Sequence, residues 1–134
     1  MRRLIFYNED MQNKVYLDKD NIINIEVVGD QTVESVTEMG RQIEGLITEQ
    51  RKVGKPSLIL DNLLAMGDVG PEARQLVVDL AKRLDYDRTA MVGKGGLMKF
   101  GTNLMLRATG RSYRAKYFEN LAEARSWLLP LPKQ

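Results

Sequence analysis

Residues 57–92 read SLILDNLLAMGDVGPEARQLVVDLAKRLDYDRTAMV, and the change of period within this stretch decides the fold. Ser57 to Leu60 is a short apolar run of the kind that forms a buried strand. From Pro71 to Leu84 the apolar residues Ala73, Leu76, Val77, Leu80, Ala81 and Leu84 recur at the spacing of a single helical stripe. Pro71 stands at the first helical position, where a missing N–H costs nothing. Thr89 to Val92 returns to a strand. Strand, helix and strand in this order predict a crossover unit, and therefore parallel strands covered by helices.

Toward the N-terminus the pattern differs. Leu4 to Tyr7, Lys14 to Leu17 and Ile22 to Val28 are rich in β-branched and aromatic residues, and Asn8-Glu9-Asp10 and Asp18-Lys19-Asp20-Asn21 separate them. Turns this short cannot carry a parallel crossover, so the three strands should form an antiparallel meander. After Gly29-Asp30, Val33, Val36, Ile43, Leu46 and Ile47 fall at helical spacing, predicting a helix over 32–52 with Thr32 as N-cap and Gly54 and Pro56 as its stop.

Toward the C-terminus, Leu97 to Ala108 reads as a helix with Leu97, Phe100, Leu104, Met105 and Ala108 on one face, and Ser112 to Phe118 reads as a strand. Asn120 to Leu129 reads as a closing helix, with Asn120 and Glu123 at capping-box spacing and Leu121, Ala124, Trp127 and Leu128 turned inward. The expected architecture is an α/β domain over residues 1–129. It has a central mixed sheet of about six strands and about four helices, and residues 130–134 form a flexible tail.

Composition bounds the chemistry. The chain has 134 residues, 43% of them hydrophobic and 28% charged, enough to bury a core without staples. It contains no cysteine and no histidine, which removes disulfides, thiolates and the usual general base near neutral pH. The N-terminal apolar run of Leu4 to Tyr7 is shorter than the roughly seven to fifteen residues of a signal peptide, and no stretch approaches the ~18 apolar residues of a membrane helix. A cytoplasmic location is the expectation. The net charge of +2 hides an asymmetry: Arg88, Lys94, Lys99, Arg107, Arg111, Arg114 and Lys116 lie in a segment with no acidic residue.

The order and spacing of Ser57-Leu58-Ile59-Leu60-Asp61, Arg88-Thr89-Ala90-Met91-Val92-Gly93, Tyr117-Phe118-Glu119 and Ala124-Arg125-Ser126-Trp127-Leu128 resemble the STAS-like (SpoIIAA-like) family, related to anti-sigma-factor antagonists. The resemblance implies the fold and a tendency toward protein partners, and it implies no catalytic residue and no cofactor. In regulatory members of that class, the loop after the strand matching Ser57 to Asp61 carries an Asp-Ser-Ser-Gly type motif that a kinase phosphorylates. Here the corresponding residues are Gly67-Asp68-Val69-Gly70, and Val69 has no hydroxyl to phosphorylate.

Three places could carry function. The segment from Asp61 to Pro71, with Asp68, Val69 and Gly70, precedes a helix whose free N–H groups suit a partner or anion, although the same residues are ordinary helix-start chemistry. Lys94, Gly95 and Gly96 follow a strand and open a helix, a context for phosphate binding or simply a turn. Met98 and Met105 would line an apolar pocket or fill core.

The leading expectation is a non-catalytic binding or regulatory module acting through the Asp61–Pro71 and Lys94–Gly96 surface, with a protein or a second copy of the chain as partner. A carrier of a small apolar molecule or lipid is the first alternative. An enzyme using Asp61, Asp68 and Lys94 is the second, and it requires those three to converge. The basic segment lacks interleaved exposed aromatics, which argues against nucleic acid.

Overall fold

A computed structural model of the chain describes residues 12–96, 110 and 114–129. Among these, five strands and three helices follow one another: β1 (Lys14–Leu17), β2 (Ile22–Gln31), α1 (Val33–Lys52), β3 (Leu58–Val69), α2 (Pro71–Arg83), β4 (Arg88–Val92), β5 (Ala115–Phe118) and α3 (Leu121–Leu128). The five strands form one sheet in chain order. β1 pairs with β2 antiparallel, and all the other pairings are parallel. The class is the α/β one expected. The strand expected at Leu4 to Tyr7 and the helix expected at Leu97 to Ala108 lie outside the described residues, as do Met98 and Met105.

The β1–β2 turn is built by its own side chains. Asp18 Oδ1 accepts from the N–H groups of Asp20 (2.8 Å) and Ile22 (3.1 Å), and Asn21 takes a positive φ of 64°, which asparagine tolerates well. β2 is buried on both faces from Ile22 to Ile25, as a central parallel strand must be. Ile23, Ile25 and Val27, with Ile59 of β3, pack against Val36, Ile43 and Ile47 of α1 and Ala73 and Leu80 of α2. The alternate residues Ile22, Leu58, Leu60, Ala90 and Val92 face the other way and pack on Ala124 and Leu128 of α3. α1 and α2 therefore cover one face, and α3 covers the other.

The helix starts follow the expected chemistry. The Ser35 N–H donates to Thr32 Oγ1 (3.1 Å) and the Thr32 N–H to Ser35 Oγ (2.9 Å), a reciprocal capping box. Asn120 Oδ1 accepts from the Glu123 N–H at 3.0 Å. Leu121, expected inward, is 38% exposed, because it lines a cavity over β2 and β3 instead of joining the cluster that Ala124 and Leu128 fill.

The largest departure from expectation is the length of β2 and β3. Gly29-Asp30 and the residues after Leu60 read as breaks, yet β3 continues through Val69, and its Ala65, Met66 and Val69 pair with Val28, Gly29 and Gln31. Two irregularities in register absorb the mismatch, with Gly29 at a φ of 73°. Side-chain amides fill the resulting gaps in the ladder. Asn13 Oδ1 accepts from the Val28 N–H (2.8 Å), and Gln31 Nε2 donates to the carbonyls of Val28 (3.1 Å) and Gly29 (3.0 Å). Because β4 pairs with β3 only as far as Asn62, residues 63–69 form, with the end of β2, a two-stranded arm beyond the shared ladder.

Candidate functional site

The expected surface residues separate into three places. Asp61 lies within β3, opposite Met91, rather than in a loop. It shares a sheet face with Ile59 and Leu63, and through the register with Thr89 and Met91 of β4 and Tyr117 of β5. Its Oδ1 is shielded and has no hydrogen-bond partner among the described residues, and Thr89 Oγ1 and Tyr117 Oη are in the same condition. Burial without compensation raises the Asp61 carboxyl to about 7 and moves the Tyr117 phenol upward in the same sense. Leu63, Met91, Ala115 and Tyr117 make the apolar ground on which these groups sit.

Asp68, Val69 and Gly70 stand at the far end of the arm. The Asp68 N–H donates to Asp30 Oδ1 at 2.8 Å, while the Asp68 side chain is exposed. Gly67 suits the close approach there, since a Cβ on it would come within 2.3 Å of Asp30 Oδ1, which would have to shift. Val69 pairs with Gln31 and packs against the core, and Gly70 is the N-cap of α2 with no side-chain cap. Lys94, Gly95 and Gly96 are exposed beyond the end of β4. Asp61 and Asp68 are seven strand positions apart, roughly 23 Å at about 3.3 Å per residue, so Asp61, Asp68 and Lys94 do not share a catalytic centre.

Part of the basic segment has structural work. The Arg88 guanidinium lies 5.0 Å over the Trp127 ring and donates to the Trp127 carbonyl at 2.7 Å, Arg114 donates to the Tyr86 carbonyl at 3.1 Å, and Lys116 lies 5.4 Å over Phe118. Among the described residues no group of three or more acidic, histidine or cysteine side chains is placed to hold a metal. No helix among them is long and apolar enough to cross a membrane.

A site that the sequence reading did not single out lies on the α3 face, at the root of the arm. Tyr16, Asn24, Glu26, Leu60, Asn62, Leu121 and Arg125 line a cavity of about 230 Å³. Asn24 and Glu26 alternate along β2 on the same face as Leu60 and Asn62 of β3, to which they are paired in register. Tyr16 donates to Glu26 Oε2 at 3.0 Å, and burial followed by that carboxylate contact raises its pKa. Arg125 reaches across to Asp18 (3.0 Å) and Asp20 (2.6 Å), clamping α3 to the β1–β2 turn. Asp18 is held below the usual carboxylate range: its burial pushes upward, but hydrogen bonds from Asn24, the Ile22 N–H, Arg125 and the Asp20 N–H outweigh that effect. The available sequence signals were two asparagines, Asn24 inside an isoleucine run and Asn62 inside a leucine-rich one.

Comparison with known proteins agrees with this architecture. A family model described as SpoIIAA-like matches residues 22–129, which is more than half of the chain. An uncharacterized DUF3478-family protein with a SpoIIAA-like fold, from Shewanella loihica PV-4, is similar in structure at a TM-score of 0.63 and 21% identity, over 87% of this chain and 91% of that one. An anti-sigma factor antagonist from Mycobacterium paratuberculosis is similar at a TM-score of 0.61 and 15% identity, over 89% of this chain and 94% of that one. The chain matches no curated protein.

Proposed function

The chain belongs to the SpoIIAA-like family, and from that premise we propose that it is a regulatory module that works by binding another protein, without a catalytic step of its own. The observation that carries this reading is the arm. Residues 63–69 leave the sheet paired with β2 alone among the described strands, and they present Leu64 (36% exposed) and Asp68 to solvent. The apolar and charged groups stand on a strand ladder, where the backbone is already ordered and the ordering cost of docking is low. Val69 has no hydroxyl and is engaged in the ladder, so control by phosphorylation at that position is outside the proposal. The likeness to an anti-sigma factor antagonist supports a protein partner and leaves the partner's identity to experiment. A cytoplasmic setting goes with this reading.

A second reading, a carrier of a small amphipathic molecule, draws on the unpartnered Asp61 Oδ1, Thr89 Oγ1 and Tyr117 Oη above the Leu63–Met91–Ala115 ground. One experiment addresses both. Native mass spectrometry of the chain captured from its source cells should show a stoichiometric protein partner with the wild type, and at least a tenfold lower yield of that complex with Leu64→Asp/Asp68→Arg. A bound small molecule in place of a protein would favour the second reading. A partner indifferent to the arm substitutions would sink the first.

A further inference from the structure

We propose that the cavity beneath the start of α3 is an arginine pocket, in which the guanidinium of a protein partner's arginine stacks on Tyr16 and donates hydrogen bonds to Glu26 and Asn24. This rests on the reading of the chain as a protein-binding module and names the chemistry its partner brings.

The hydrogen-bond inventory of the lining points that way. Asn24 is only 8% exposed. Its Nδ2 donates to Asp18 Oδ2 (2.8 Å) and to the Ile22 carbonyl (3.1 Å), both of which are acceptors only, so the amide orientation is fixed and Oδ1 is the atom left over. No donor reaches Asn24 Oδ1 among the described residues, and Asn24 lines the cavity, so its amide brings an acceptor without a partner to the lining. Glu26 takes the Tyr16 hydroxyl on Oε2, which leaves Oε1 available. The lining thus presents unused acceptors, two residues apart on one strand face and about 7 Å from each other along the backbone.

Size and charge select among donors. About 230 Å³ is room for roughly eight waters at ~30 Å³ each, and it falls below the ~300–1,000 Å³ of ordinary small-molecule sites. It suits the head of one side chain. Arg125, the cation in the wall, already spends its guanidinium on Asp18 and Asp20. Lys14, opposite Glu26 in register, is exposed and makes no ion pair with it among the described residues. Glu26 is the one carboxylate of the lining and carries no ion pair among the described residues, so the lining favours a further positive group. Tyr16 is 42% exposed at the mouth and offers a ring face. A planar guanidinium with forked donors can stack on that ring and satisfy separated acceptors together, which a compact ammonium cannot do.

The test is a titration of the isotope-labelled full chain, followed by NMR, with N-acetyl-arginine amide, N-acetyl-lysine amide and free arginine. The capped arginine should give saturable shifts at the Asn24 and Asn62 side-chain amides in the millimolar range. The capped lysine should bind at least fivefold more weakly. Glu26→Gln should weaken the capped arginine about tenfold and Tyr16→Ser about threefold, each with a spectrum as dispersed as the wild type's. Equal response to lysine, no saturable shift, or full retention by Glu26→Gln overturns the proposal. Tighter binding of free arginine than of the capped form would mark a metabolite site and also overturn it. None of these failures touches the arm experiment, which stands or falls on Leu64 and Asp68.

Discussion

Asp61 holds its proton up to about pH 7 because its surroundings desolvate it, and this gives the protein a stability profile of definite sign. Below the unfolded value of 3.8 the carboxyl is protonated in both states and costs nothing. Between there and pH 7 the unfolded chain releases the proton while the folded chain keeps it, so stability falls as pH rises. Above about 7 both states are ionised and the loss levels off. Three pH units at about 1.4 kcal/mol each set an upper bound near 4 kcal/mol, reduced by the solvent the residue still meets. Asp61→Asn should remove this slope, leaving urea stability nearly equal at pH 5 and pH 8 where the wild type loses stability, and an unchanged slope would place the titrating group elsewhere. In the sequence Asp61 looked like a strand-end residue, since Asn62 and Gly67 suggest a turn. Its place inside the sheet depends on its pairing with Ile25 of β2 and Met91 of β4, which one segment's pattern cannot reveal.

The arm shows why element boundaries were harder to read than element types. Helix α1, the crossover through α2 and strand β4 were legible, because their apolar periods are long and their caps conventional. The extension of β3 was not, because Gly29 and Gly67 are turn residues by local rule and here serve a bulge and a close backbone approach. Gly67 gives the arm its most direct test. A methyl at that position meets Asp30 Oδ1 and disturbs the acceptor that holds the Asp68 N–H, so Gly67→Ala should cost about 1–3 kcal/mol in thermal or urea unfolding. If the arm were a loose loop, the substitution would instead be neutral or stabilising. The cavity was illegible for a different reason. Its lining comes from β1, β2, β3 and α3, and each residue alone passes for the polar half of an alternating strand or helix.

At the scale of the molecule, the five strands lie side by side in the order in which they are made. Each strand therefore lies on the edge left by its predecessor: β1–β2 closes over a turn, and β2–β3 and β3–β4 each close over one helix. Three of the four pairings are parallel, and a parallel pairing must close a loop long enough to hold a crossover, so such a sheet folds more slowly than a bundle of helices. The grip of Arg125 on Asp18 and Asp20, like the packing of Ile22 on Ala124 and Leu128, is wired differently, joining residues 107 and 105 positions apart. That clasp needs α3 in place, and we expect it to form late in folding and to break early in unfolding. Arg125→Ala should then accelerate unfolding several-fold in stopped-flow measurements while leaving the refolding rate nearly unchanged, and a slowed refolding limb would mean that the ends meet early. The clasp makes the fold act as a closed ring in time: the β1–β2 turn gains its fastening only once α3 has docked.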